Sequence, residues 1–233
     1  MARRMNPYRT PALAALVAFA LPAAAPALAQ DDFQQWLTQS AKADLSEKLA
    51  VHNELWVRFS DNRDGLYEIE NSLLIGYKLS RKVAAWAGYV HNPNYAAGDF
   101  TVMERRAREQ VTIDNFAKLG GASLSARLRF EQRWRDGIDG TGWRFRPYVK
   151  LAIPLGGKTA PTLNLSTEPF INFNNTAFQT SDGLERARSA IALSFPVSKA
   201  VKLEAGYLNQ RRFVRGGRDT NDHALTASLA VSF

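Results

Sequence analysis

Imidazole and thiol, the side chains most readily turned to acid–base and nucleophilic chemistry near neutral pH, are scarce or absent in this sequence. It has three histidines, His52, His91 and His223. An imidazole beside a carboxylate can serve as a general base, and His91 and His223 stand at segment ends with Asn92, Glu104, Asp219 and Asp222 as candidate neighbours. The catalytic candidates are therefore His91, His223 and Asp222. No nucleophile supports them by spacing, since the chain lacks both a G-x-S-x-G elbow and a His-x-Ser pair. Nor do these residues carry a metal-ligand spacing, and no cofactor is implied. His52 sits among charges in mid-segment and fits a structural network better than a reaction centre.

There is no cysteine, which excludes disulfides, zinc–thiolate sites and a lipid-anchored N-terminal Cys. The stronger pattern is ionic. Charges recur at every second residue: Glu54 and Arg58, Glu68 and Glu70, Arg106 and Arg108, Arg127, Arg129, Glu131 and Arg133, Arg144 and Arg146 with Lys150, then Glu168, Arg186, Arg188, Lys202 and Glu204. If these side chains share an interior, Arg and Glu on neighbouring segments fall within pairing distance and fill it. The alternative is a narrow anion-preferring pore, because arginines outnumber carboxylates on several segments.

Spacing by two belongs to strands. From Leu49 onward, segments of about ten residues alternate, as in LAVHNELWVRF, where Leu49, Val51, Asn53, Leu55, Val57 and Phe59 oppose His52, Glu54, Trp56 and Arg58. LYEIENSLLIGYKL sets Tyr67, Ile69, Leu73, Ile75 and Tyr77 against Glu68, Glu70 and Ser72. WAGYVH at 86–91 is apolar or small on both sides and assigns no face. The fold class expected is all-β: an antiparallel transmembrane β-barrel of about ten to twelve strands. Eleven segments can be counted from Phe33, whereas single-chain bacterial barrels use even numbers. The weakly alternating FQQWLTQSAKADL is then an extra wall strand, a lumen insert, or one of a pair. Pro147 and Pro169 fall inside strands and predict bulges, and Glu109 falls on the apolar face.

A soluble barrel or sandwich would share the period of two with its faces inverted. Three features favour the membrane form. Connections alternate between short (46–48, 80–82, 196–199) and longer (61–65, 91–102, 136–142, 175–183, 211–222). Apolar-face aromatics gather at two levels: Phe59, Tyr67, Tyr89, Trp134, Trp143, Phe145, Phe173 and Tyr207 near the long connections, with Tyr77, Phe195 and Phe233 near the short ones. Bilayer interfaces select such rings. Finally, Leu225, Ala227, Leu229, Val231 and Phe233 end the chain in strict alternation. That terminus resembles the assembly signal read by outer-membrane insertion machinery.

Residues 1–29 have the layout of a secretory signal peptide, with Arg3, Arg4 and Arg9, an Ala-rich apolar run and an A-x-A site at Ala27–Ala29. Three parts follow: a cleaved leader at 1–29, an N-terminal segment at 30–48 that is a possible first strand, and the barrel at 49–233. The whole chain carries net +8. Without the leader's three arginines, 30 Lys and Arg become 27 against 22 Asp and Glu, a net +5. An excess so modest and dispersed points away from nucleic acid. RRFVRGGRD (211–219) is a basic loop suited to phosphates of lipopolysaccharide or to plain solvation.

The stretches DDFQQWLTQSAKADLSEKLAVHNELWVRFSD, DFTVMERRAREQV, RLRFEQRW, GTGWRFRPYVK and GYLNQRRFVRGG resemble the Gram-negative exported proteins grouped as domain of unknown function 2490. The resemblance implies an outer-membrane β-barrel-like protein without assigned activity, and supplies no catalytic residue. Expected partners are outer-membrane lipid, lipopolysaccharide and, during assembly, the insertion machinery. A lipid-modifying enzyme with rim His and carboxylate residues is the third functional class.

Overall fold

The computed structural model describes residues 31–157 and 159–233; the leader expected at 1–29 lies outside the described residues. Eleven strands follow in order: β1 (Asp32–Asp44), β2 (Leu49–Ser60), β3 (Gly65–Lys78), β4 (Val83–Ala96), β5 (Asp99–Leu119), β6 (Ala122–Arg135), β7 (Ile138–Pro154), β8 (Thr162–Asn172), β9 (Gly183–Pro196), β10 (Val201–Arg212) and β11 (Thr220–Ser232). Each pairs with its sequence neighbours, and β11 returns to β1 to close a barrel.

The even count expected of a bacterial barrel does not hold. In an odd-stranded meander the first and last strands run the same way, so closure has to be parallel. β1 and β11 pair in parallel from Asp32 opposite Asp222 to Lys42 opposite Ser232. The weakly alternating N-terminal segment is thus an extra wall strand. The terminal residue completes the seam: Phe233 N–H donates to Lys42 O at 2.9 Å, and Asp44 N–H to Phe233 O at 3.4 Å. Closure leaves no row of unpaired amides at a sheet edge.

The two faces of the wall are inverted relative to a soluble protein. Leu73, Ile75, Leu128, Ile191, Leu193, Leu225 and Leu229 project outward and are exposed, whereas Arg108, Glu104 and Glu131 are among the most completely buried side chains. Inside, the main apolar patch is Ala50, Leu74 and Trp86 with Ala84 against it. That patch assigns the ambiguous 86–91 segment: Trp86 points inward at 6% exposure and Tyr89 outward at 46%. Gly76 pairs opposite Trp86, and the indole lies over it so closely that a β-carbon there would stand 2.4 Å from the ring.

Local irregularities account for the remaining differences. A bulge between Arg58 and Phe59 shifts the β2–β3 register, so Tyr67 turns inward and is buried instead of joining the outer aromatics. Its hydroxyl donates to Gln34 Oε1 at 2.9 Å. Pro169 does have a bulge beside it, between Phe170 and Ile171. Opposite Pro147 there is instead a gap in the β7–β8 pairing, between Phe145–Ile171 and Val149–Thr167, with no shift of register. Two connections expected to be long are two-residue turns, because β4–β5 and β6–β7 run past them; Ala97 and Gly98 turn with φ of 50° and 83°. Loops 173–182 and 213–219 remain long at that end. Glu109 does lie on the outer face, where it accepts a hydrogen bond from Gln132 Nε2 at 3.1 Å.

Candidate functional site: the charged lumen

Alternation along each strand delivers one ionic side chain per two residues to the interior. Antiparallel register then sets them side by side. Arg106 stands opposite Arg133 and Arg108 opposite Glu131 on β5–β6, while Glu131 stands opposite Arg144 and Arg129 opposite Arg146 on β6–β7. Three carboxylates act as hubs. Glu104 accepts Arg106 Nε at 2.6 Å, Arg133 Nε and Nη2 both at 2.9 Å, and Arg135 Nε at 2.8 Å. Glu131 accepts Arg108 Nη2 at 2.8 Å, Arg144 Nη2 at 2.7 Å and Arg146 Nη1 at 3.2 Å. Glu168 accepts Arg127 Nη2 at 2.5 Å and Arg146 Nη2 at 3.0 Å. Glu70 on β3 reaches past β4 to bind Arg106 at 3.0 Å and Arg108 at 2.6 Å on β5, and Glu68 binds Arg58, its register partner on β2, at 2.6 Å. Such pairs repay their desolvation best when their oxygens and N–H groups find partners. The shared, multidentate geometry satisfies most of them, although Arg58 Nε, Arg108 Nη1 and Arg127 Nε are buried without a hydrogen-bond partner.

Arginines exceed carboxylates, and aromatic rings take up part of the difference. Phe170 is buried and has four guanidinium carbons around its ring: Arg146 at 4.1 Å, Arg188 at 4.6 Å, Arg144 at 5.1 Å and Arg186 at 5.4 Å. Trp36 lies under Arg188 at 4.5 Å and Arg58 at 4.7 Å. Ring faces attract cations, and more strongly where water is excluded.

At the long-loop end the β8–β9 loop folds over the network. Gln179 is buried, accepts Arg133 Nη1 at 3.0 Å and donates to Trp143 O at 3.2 Å. Phe178 stacks on Arg135 at 5.3 Å and Arg133 at 5.6 Å. Gly142 lies beneath both, and a β-carbon there would stand 2.9 Å from Gln179 Oε1. Towards the short-turn end the filling stops, leaving a cavity of about 1110 Å³ lined mainly by β6–β11, β1 and β2.

The charged residues singled out from spacing distribute as follows. Arg58, Glu70, Arg106, Arg108, Arg129, Glu131, Arg133, Arg144, Arg146 and Glu168 are buried, while Glu54, Glu68, Arg127, Arg186 and Arg188 are half-buried. Arg186 bonds to Glu185 beside it, and Arg188 Nε donates to Gln210 at 2.8 Å. Glu104, grouped from the sequence with the rim histidines, belongs to this network instead, and Arg135, Trp36, Phe170, Phe178 and Gln179 were missed. Parity extended from Arg106 and from Glu168 would have found Glu104 and Phe170; the β8–β9 loop carries no periodic signal.

The catalytic candidates are not gathered. His223 points outward and meets Tyr207, Oη to Nδ1 at 2.5 Å. Asp222, next to it, points inward and binds Gln210 and Arg212. His91 is exposed on β4, separated from β11 by β1, β2 and β3. Among the described residues no group of three or more His, Asp or Glu is placed to hold a metal ion. Outside the wall, Asp219 in the β10–β11 loop accepts Arg211 Nε and Nη2 at 3.0 and 2.8 Å and the Val214 N–H at 3.1 Å. The Arg211 bond, then that of Val214, holds its carboxyl below the usual aspartate value.

Comparison with known proteins agrees with the extent of the barrel. The family model described as protein of unknown function (DUF2490) matches residues 33–221. An uncharacterized protein of Methylorubrum extorquens is 28% identical over 225 residues, covering 95% of this chain and 96% of its own. No solved structure matches.

Proposed function

The chain belongs to the DUF2490 family of proteins of unknown function, and on that basis and its geometry we propose that it is an integral outer-membrane barrel with a structural role. The observation that carries this is the inversion of the wall, with exposed Leu, Ile and Phe outside and a salt-bridged Arg/Glu filling inside. In water the outer face would be a continuous apolar belt far larger than monomeric proteins leave uncovered; against acyl chains it is satisfied. The short-turn end faces the periplasm and the long loops face outward, the usual arrangement. Residues 1–29 direct export and are then cleaved from the exported chain. Leu225, Leu229, Val231 and Phe233 form the signal for the insertion machinery. The basic β10–β11 loop meets phosphate groups of lipopolysaccharide.

A plugged lumen distinguishes this role from conduction. The test is cell fractionation with gel mobility before and after boiling, followed by planar-bilayer recording. A chain in the outer-membrane fraction, shifting on boiling and electrically silent, is the expected result. Recovery in a detergent-free periplasmic extract would overturn the membrane assignment, and discrete anion-preferring current steps would replace the structural role by a pore.

A further inference from the structure

We propose that the cavity in the short-turn half of the lumen binds a small multivalent oxyanion, a molecule bearing two or more phosphate or carboxylate charges; this rests on the barrel reading above. The cavity is a half-channel. It holds about 1110 Å³, is roofed by the ionic network and opens among Gly156, Ala160 and Pro196 at the short-turn end. Ala50, Leu74 and Trp86 fill part of the lumen beside β2–β4, and the free volume is lined mainly by β6–β11 and β1, with Glu54, Trp56 and Arg58 of β2 also on its wall.

Its cations are incompletely neutralised. Arg129 is 4% exposed, gives its Nε to an amide oxygen of Gln110 at 2.8 Å, and has its closest carboxylate, Glu54, at 3.8 Å. Arg188 gives its Nε to the Gln210 amide at 2.8 Å and its faces to Trp36 and Phe170. Among the described residues Arg188, Lys150 and Lys202 have no carboxylate within 4.0 Å, although all three line the cavity. Of the carboxylates that line the same cavity, Glu168 pairs with Arg127 and Arg146, Glu70 with Arg58, Arg106 and Arg108, Glu54 stands 3.8 Å from Arg129 and Glu204 accepts Asn164 Nδ2 at 2.7 Å. With Asp114 these make five against seven lining cations, so positive charge is in excess. A buried guanidinium without a counter-charge is costly, and its planar fork of donors matches an oxyanion bidentately. Two guanidiniums, Arg129 on β6 and Arg188 on β9, and two ammonium groups, Lys150 on β7 and Lys202 on β10, line one space, more than a single halide could contact. Ser125, Ser166, Ser194 and Thr226 add hydroxyl donors on the walls.

The full chain, folded in detergent and verified by its boiling-dependent gel shift, is titrated with pyrophosphate and separately with citrate, following heat by calorimetry and tryptophan fluorescence, since Trp36 touches Arg188. The expected result is saturable binding of at least one probe, weakened by salt. Arg188→Gln and Arg129→Gln should each weaken it by at least about tenfold, as removal of a charge from a buried charge-assisted contact does, while Arg211→Gln in the outer loop leaves it unchanged. Lys150→Gln, whose side chain supports no ion pair, should also weaken binding and serves if an arginine variant does not fold. No saturable response to either probe, or equal binding by the folded cavity variants, would overturn the site. A missing gel shift in the unaltered chain would strike the barrel reading instead.

Discussion

Arg108 and Glu131 stand opposite each other on β5 and β6, both side chains fully enclosed, with Nε and Nη2 of the arginine 3.0 and 2.8 Å from one carboxylate oxygen. The other oxygen takes Arg144 at 2.7 Å. One carboxylate therefore ties β5, β6 and β7 together at mid-lumen.

Replacing that hub should cost more than any peripheral pair. Glu131→Gln leaves three guanidiniums with a weakened partner inside the barrel, and breaking a buried ionic contact from one side typically costs about 3–5 kcal/mol. The expected result is a lower urea midpoint for loss of the compact gel band. Arg105→Gln removes an exposed pair with Asp136 and should change stability by about 1 kcal/mol or less, leaving the urea midpoint nearly in place.

Gly76 is a packing constraint. A side chain there meets the Trp86 indole, and overpacking costs about 1–3 kcal/mol. Gly76→Val should lower the thermal midpoint and alter Trp emission as Trp86 leaves the Thr112 hydroxyl, 3.2 Å from its Nε1. Unchanged emission and stability would contradict the packing described.

The loop cap depends on Gly142. Gly142→Val should push Phe178 and Gln179 off the arginines, so protease cleavage within 173–182 accelerates while the compact band persists. Equal cleavage rates in both proteins would contradict a docked loop.

The β10–β11 loop should respond to acid. Asp219 is held below its ordinary value, so its stabilisation of the loop is fully present above the unfolded aspartate value of about 3.9. It is lost as pH falls through the lower folded value. Protection of the Val214 amide from hydrogen exchange should therefore be constant near neutrality and fall only in strong acid. Arg211→Gln should move that loss to higher pH.

Much of this arrangement is legible in the residues because period two assigns faces directly: Glu54, Arg58, Glu131 and Arg146 can be separated from Leu55, Leu128 and Phe145 by counting. What counting cannot give is closure. Eleven segments could be counted, but whether the first joins the wall, and so closes it through a parallel seam, is decided only where β1 meets β11, a contact between chain ends with no local signature. The bulge at Arg58 likewise defeats parity, which is why Tyr67 turns inward. Trp86 was ambiguous because Ala and Gly surround it on both faces. The Phe178–Gln179 cap depends on tertiary contact with Gly142 and leaves no periodic trace.

The direction of the wall can be measured most directly by exploiting the lack of native cysteine. Leu193→Cys and Ser166→Cys, on neighbouring strands but opposite faces, are labelled with a fluorophore and reconstituted with nitroxide-bearing lipid. Strong quenching at 193 and little at 166 is the predicted result. Quenching at 166 with protection at 193, or none at either, would contradict a barrel that turns its apolar face to lipid and encloses its charges.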